Sequence, residues 1–194
     1  MPAGWLAVSE RFAILDTPLS GLRVVRRLPR ADARGFFERL FCAEELAGAG
    51  FPGPVVQINR SLTTVRGVVR GLHFQYPPHM EIKLVSCLGG AVYDVAVDLR
   101  AGSPTFLGWH AELLSEDNHT SLLLPAGFAH GFQTLSSETE MLYLHSAPYT
   151  PGCEGGLHPL DPRLSITWPE PVACLSERDA GHAPLDLSFQ GVAS

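Results

Sequence analysis

The amino-acid sequence predicts an all-β fold, an antiparallel β-sandwich or barrel with a few short helices. Three observations lead there. Apolar runs recur at a spacing of roughly 8 to 12 residues, Gly, Pro, Asn, Asp and Ser punctuate them, and long helical periodicity is scarce. The clearest run, residues 83–88, is followed by Gly89-Gly90 and then by the Val-rich run 91–99, which reads as a β-hairpin with the glycine pair at its turn. Residues 121–124 end at Pro125-Ala126-Gly127, the pattern resumes over 128–135, and 140–145 reads as a further strand. Residues 100–104 and 115–118 supply polar turns between these runs. One short helix is expected over 42–49, where Ala-Glu-Glu-Leu-Ala favours helix and Gly48 and Gly50 stop it.

The 194 residues fit one domain, and with 45% hydrophobic and 18% charged residues they suit an ordinary globular protein. Gly and Pro are spread along the chain, so no linker divides it. Apolar runs stay far below the roughly 18 to 20 residues of a membrane helix, and the N-terminus lacks signal-peptide character. The expected location is the cytoplasm. Cys42, Cys87, Cys153 and Cys174 form no CxxC pair, which predicts reduced, mostly buried thiols and neither a zinc cluster nor a disulfide framework. A net charge of −6 argues against duplex nucleic acid as a partner but leaves room for a small phosphorylated ligand held by a few local arginines.

Chemistry on such a fold is expected in the mouth between the sheets. The segment 66–75 carries Arg66, Arg70 and His73 among Gly67 and Gly71. Strict alternation puts Arg70 and His73 on opposite faces of a strand, so a common site needs a bulge, which Gly71 permits. Taken alone, a strand histidine is more often structural than catalytic. Lys83 opens an apolar run: pointing inward it is costly without a partner or purpose and can stabilise an enolate, whereas at a strand end it points into water. His130 lies among small residues in Pro125-Ala126-Gly127-Phe128-Ala129-His130-Gly131-Phe132, where the backbone can approach a ligand closely; a satisfied core histidine is the competing account. Tyr143 places a phenol in a strand, as a proton donor or as packing. Asp161, before Pro162, is a carboxylate able to orient an imidazole or to make an Asx-turn. A metal-binding cupin motif needs a histidine two positions after His73, and that position is Gln75; His79, Glu81 and His130 have the wrong spacing to replace it. No metal is expected.

These motifs together resemble the dTDP-4-dehydrorhamnose 3,5-epimerase family, the RmlC-like cupins. The resemblance runs from about 12 to 169, leaving a C-terminal tail, 170–194, assigned only to surface packing. It rests on Asp32-Ala33-Arg34-Gly35-Phe36-Phe37, Gln57-Ile58-Asn59, Arg70-Gly71-Leu72-His73, Lys83-Leu84-Val85 and Asp94 to Arg100. It continues through Gly102-Ser103-Pro104-Thr105, the segment around His130, Leu142-Tyr143, Tyr149-Thr150-Pro151 and Asp161-Pro162. Each motif is weak, and their order is highly specific.

The resemblance implies a jelly-roll cupin that works without metal or cofactor, as a homodimer exchanging N-terminal strands. It implies inversion at C3 and C5 of a nucleotide-linked 4-keto-6-deoxyhexose, with dTDP as carrier, in deoxysugar synthesis of the rhamnose type, as for lipopolysaccharide or antibiotics. His73 matches the family's base, Asp161 the carboxylate orienting it, Lys83 the group on the enolate oxygen, and Tyr143 the acid on the opposite face. Arg34, Arg70 and His130 match positions near the diphosphate and sugar, Phe37 matches a substrate-binding position, Gln57 and Asn59 line the nucleotide site, and Tyr149 stacks on the base. Two positions depart from the family pattern. Arg39 stands where Glu is common, with Glu38 shifted by one, and Met80-Glu81 replaces Ala-Gln. Both lie near nucleotide or sugar in the family and so bear on which nucleotide and sugar are bound. A single-site 3- or 5-epimerase is an alternative, because related enzymes share the catalytic residues and differ in outcome. A non-catalytic sugar-nucleotide-binding protein on the same scaffold is another.

Overall fold

The computed structural model describes residues 4–193. The strands are β1 (Leu6–Ala7), β2 (Phe12–Asp16), β3 (Arg23–Arg27), β4 (Arg30–Asp32), β5 (Gly35–Phe37), β6 (Gln57–Thr63) and β7 (Val69–Gln75). They continue with β8 (Lys83–Gly89), β9 (Ala91–Asp98), β10 (Trp109–Ser115), β11 (Thr120–Leu124), β12 (Phe128–Thr134), β13 (Thr139–His145) and β14 (Glu154–Gly156). Two short helices accompany them, α1 (Ala43–Ala47) and α2 (Glu177–Ala180). A seven-stranded sheet runs in the order β1-β2-β3-β11-β8-β13-β6, a five-stranded sheet in the order β10-β9-β12-β7-β14, and β4-β5 form a separate hairpin. Every pairing within these sheets is antiparallel.

The apolar runs are continuous because both faces of the large sheet are covered. Leu122 and Leu124 of β11 and Val85 and Cys87 of β8 pack between the sheets with Phe128 and Phe132 of β12 and Val92 and Ala96 of β9. Leu123 and Leu84, one residue out of phase, face the other way and meet Leu46 of α1, Phe51 and Phe12. Each buried leucine contributes roughly 1.5–3 kcal/mol over an exposed one. Helix α1 falls inside the expected 42–49, and the chain leaves it through Gly50 at φ 109°.

Three expectations are corrected. The runs on either side of Gly89-Gly90 do not pair with each other: β8 pairs with β11 and β13, and β9 with β10 and β12. Gly90, at φ 74°, turns the chain from one sheet into the other, so the glycines serve a corner and not a hairpin. The C-terminal tail does more than cover the surface. Val192, with Leu185 and Phe189 against it, completes a core with Leu72, Val95, Val97 and Leu99 on the outer face of the small sheet. The four cysteines are unpaired, but only Cys87 is buried; Cys42 and Cys153 are partly buried and Cys174 is exposed. Burial pushes the Cys87 thiol up to about 11, so it stays protonated.

Candidate active site

Between the two sheets lies a cavity of about 860 Å³, with Lys83, Tyr143 and His145 on the wall of the large sheet and Arg70, His73 and His130 on that of the small sheet. Strand alternation builds the first wall. Lys83 is in phase with the inward Val85 and Cys87, and Tyr143 and His145 are in phase with the inward Met141. His130 is in phase with Phe128 and Phe132 in the same way.

On the small-sheet wall the expected irregularity is present. His130 pairs with His73 but Phe132 pairs with Arg70, so β7 carries one extra residue, and Arg70 and His73 reach the same cavity. Gly71 occupies the bulge at φ 125°, and a Cβ there would lie 2.5 Å from the Gly131 Cα. These two glycines bring two strands together, and neither lines the cavity. His73 donates from Nε2 to Oδ1 of Asp179 at 2.6 Å, and the other oxygen of that carboxylate accepts the Gly71 N–H at 3.2 Å. Burial holds the His73 imidazole below its ordinary value, which the bond to Asp179 only partly offsets. In the same inward phase as Val92 and Ala96, Asp94, fully buried, receives His130 Nε2 on both oxygens at 2.9 and 3.0 Å, and burial holds the Asp94 carboxyl above the usual range.

On the opposite wall Lys83 is 8% exposed and therefore does not point into water. Its ammonium pairs with Glu81 at 2.9 Å, and the other Glu81 oxygen accepts His145 Nδ1 at 2.9 Å. Burial alone would raise the Glu81 carboxyl, but His145 and Lys83 outweigh it and bring it below the usual range. Asn59 completes the chain with its amide at 3.3 Å from His145 Nε2. The Tyr143 hydroxyl lies 3.1 Å from Ser61 Oγ, its ring is edge-on to His130, and burial pushes the phenol well above its ordinary value. At the mouth, Arg70 donates to Thr63 at 2.9 Å, Gln57 lines the wall and accepts the Tyr149 N–H at 3.0 Å, and the Tyr149 ring is half exposed.

Three predicted site residues are elsewhere. Asp161 does not orient His73: its buried carboxylate accepts the Arg163 N–H at 2.7 Å, the turn role available to any Asx residue, and the N–H of Leu185 in the C-terminal tail at 2.5 Å. Arg34 and Phe37 sit on the β4–β5 hairpin, Arg34 paired with Asp32 and Phe37 64% exposed, and neither lines this cavity. Of the two departures from the family pattern, Glu81 lines the cavity, while Arg39 pairs with Glu45 of α1 and Glu38 with the buried Arg27.

Asp179, Glu81 and His145 were not singled out as site residues from the sequence. His145 is two residues beyond Tyr143, so the same alternation that nominates the tyrosine nominates it. Asp179 is the third residue after Ser176, whose hydroxyl accepts the Asp179 N–H as the N-cap of α2. That Ser-x-x-Asp spacing is a legible helix start inside the tail.

Two packed antiparallel sheets with a polar cavity between them define a jelly-roll β-sandwich of the cupin class, its walls carrying a histidine–carboxylate dyad on one side and a lysine and a tyrosine on the other. Residues 16–186 match the family model described as dTDP-4-dehydrorhamnose 3,5-epimerase, and the chain belongs to that family. It is 49% identical over 153 residues to a dTDP-4-dehydrorhamnose 3,5-epimerase of Streptomyces griseus, covering 77% of this chain and 74% of the relative. It is 45% identical over 151 residues to a dTDP-4-dehydrorhamnose 3-epimerase of Streptomyces niveus, covering 77% and 72%. Among solved structures, the dTDP-6-deoxy-D-glucose-3,5-epimerase of Legionella pneumophila Philadelphia 1, in complex with dTDP-4-keto-L-rhamnose, superposes with a TM-score of 0.86 at 40% identity over 91% of this chain and 94% of that one.

Proposed function

We propose that this chain inverts C3 and C5 of a nucleotide-linked 4-keto-6-deoxyhexose, with dTDP-4-dehydro-6-deoxy-D-glucose as the substrate. The observation that carries the reading is the His73–Asp179 dyad on one sheet facing Lys83 and Tyr143 on the other. A C–H next to a ketone is acidic enough for a neutral imidazole once the developing oxyanion is stabilised. With Nε2–H committed to Asp179, Nδ1 keeps the lone pair that takes the proton, and the carboxylate supports the imidazolium so formed. Lys83, held by Glu81, stabilises the enolate oxygen. Tyr143 returns a proton from the opposite face, which inverts the centre. Arg70 and His130 suit the diphosphate and sugar, Gln57 and Asn59 the nucleotide, and Tyr149 the base. The whole chain acts as one domain in this reading, because its tail supplies Asp179.

A homodimer belongs to the same reading. Phe36 and Phe37 on the β4–β5 hairpin are 62% and 64% exposed, and Ile58 and Leu62 on the edge strand β6 are 62% and 47% exposed. Apolar surface of this kind on a free hairpin and a free sheet edge suits burial between two copies, with Arg34 and Phe37 delivered to the partner's cavity. The described residues include no helix long and apolar enough to cross a membrane; we assign the protein to the cytoplasm, where unpaired cysteines persist.

Proton NMR of dTDP-4-dehydro-6-deoxy-D-glucose in deuterated water tests the activity. Deuterium enters at both C3 and C5 if both centres are inverted. The 45% identity to a 3-epimerase supports a second reading, inversion at C3 alone, for which deuterium enters at one carbon only. Absence of exchange at both carbons overturns the enzyme reading and leaves a sugar-nucleotide-binding protein.

A further inference from the structure

Beside the dyad, and not among the residues that line the cavity, stands a second imidazole. His182 follows α2, and its Nε2 is buried without a hydrogen-bond partner among the described residues. One ligand atom from each of His73, Asp179 and His182 lies within 4.8 Å of the other two. The approach depends on Gly156, which pairs with His73 across β14 and β7: a Cβ at 156 would run into the His182 ring. Asp179 itself is fixed from three directions, by the Ser176 cap on its N–H, by the Gly71 N–H on Oδ2 and by His73 on Oδ1. A buried ring nitrogen without a hydrogen-bond partner, on an imidazole set close to a carboxylate and another imidazole, calls for an explanation beyond packing.

We infer that His73, Asp179 and His182 form a binding site for one divalent transition-metal ion of the zinc class, and that the bound metal reversibly switches off the base. Two imidazole nitrogens and one carboxylate oxygen suit Zn²⁺, Co²⁺ or Ni²⁺ and disfavour Mg²⁺ and Ca²⁺, which take oxygen ligands. Ligand bonds of about 2.0–2.2 Å in a tetrahedral site hold ligand atoms roughly 3.4 Å apart, so closure from within 4.8 Å takes side-chain adjustment and leaves the fourth position to water. Binding exchanges one bond for another at His73. The proton on Nε2 moves to Nδ1, the metal takes the vacated Nε2 lone pair, and the bond to Asp179 gives way to a carboxylate–metal bond. Both ring nitrogens are then engaged, so the imidazole cannot accept a substrate proton.

The inhibition rests on His73 being the base of the proposed epimerase; the binding does not. The full-length protein, stripped with a chelator, is titrated with Co²⁺ followed by visible absorption, and Zn²⁺ is then used to displace it. One Co²⁺ per chain with the intense visible bands of a tetrahedral site is expected. His182→Ala and the less drastic, polar His182→Asn weaken binding at least tenfold while deuterium exchange without metal stays near the native rate. Zn²⁺ suppresses exchange in the native protein, chelator restores it, and both variants need at least tenfold more Zn²⁺ for the same loss. Absence of stoichiometric Co²⁺ binding overturns the proposal, as does native-like affinity in both variants. If the native protein exchanges neither carbon, the epimerase reading fails while the Co²⁺ titration still decides the site.

Discussion

The two walls of the cavity are made differently. On the small sheet, His73 takes its partner from α2, 106 residues further along the chain, so the wall is complete only when the C-terminal tail has docked. On the large sheet, Tyr143 meets Ser61 on the adjacent strand and Lys83 meets Glu81 two positions away, so that wall follows once the strands pair. Burial nevertheless acts on both in one way, by penalising the charged form. It pushes the His73 imidazole down and the Tyr143 phenol up. At neutral pH the histidine is thereby left unprotonated and able to accept, and the tyrosine protonated and able to donate. A single physical cause separates the roles of acid and base.

The largest expected effect tests that separation. His73→Ala lowers deuterium exchange at C3 and C5 by about a thousandfold, within the range for loss of a positioned base. Tyr143→Phe retains exchange within about tenfold of native while inversion falls by about a hundredfold. If Tyr143→Phe stops exchange as completely as His73→Ala, the two walls do not divide the work.

The next effect separates two aspartates that the sequence alone confuses. Asp179→Asn leaves Nε2 of His73 without an anionic partner and is expected to cost about ten- to a hundredfold in kcat with little change in thermal stability. Asp161→Asn does the reverse. Its carboxylate caps two backbone N–H groups, so the change costs about 1–3 kcal/mol in denaturant unfolding and leaves kcat close to native. Equal kinetic losses from both substitutions would return Asp161 to the site.

How much of this was legible follows the same division. That His73, Lys83, Tyr143 and His130 share one cavity was legible through the ordered motifs that carry the family resemblance, since alternation alone left each of them a structural reading. His145 lies two residues after Tyr143 on the same inward face of β13, but no family motif marks it. The strand-to-strand contacts were less readable: Gly90 supplies the positive φ of a tight turn equally well at a corner between sheets. Asp179 was the hardest, since no local pattern links a helix start at Ser176 to a strand 106 residues earlier. Asp161 offered the right chemical group in a turn, but backbone N–H groups had already taken it.

A smaller effect is expected at Glu81, where the chain departs from its family pattern. Lys83→Ala removes a donor to the developing oxyanion and lowers kcat about a hundredfold. Glu81→Gln keeps the side chain's size but loses the charge that holds Lys83 and His145, and is expected to cost about tenfold. Because Glu81 acts through Lys83, adding Glu81→Gln to Lys83→Ala should cost less than a further twofold. Fully additive losses in this cycle would make Glu81 an independent contributor and the large-sheet wall less local than its contacts indicate.

The smallest effect is on stability. His73 has a lower pKa in the folded protein than its ordinary value of 6.5, so between the two values the unfolded chain binds more protons than the native one. Its contribution to stability is therefore fully present above pH 6.5 and is lost as pH falls through that window. Urea midpoints at pH 7.5 and pH 5.5 measure this, and His73→Gln, which removes the titrating group, should narrow the difference. The acid limb of the exchange rate should lie below pH 6.5 for the same reason. Asp179→Asn should move that limb lower still, because the carboxylate is what partly restores proton affinity to the buried ring. A limb that moves upward in Asp179→Asn would mean that the dyad does not control the base, and the contrast between a tail-dependent wall and a strand-built one would lose its chemical consequence.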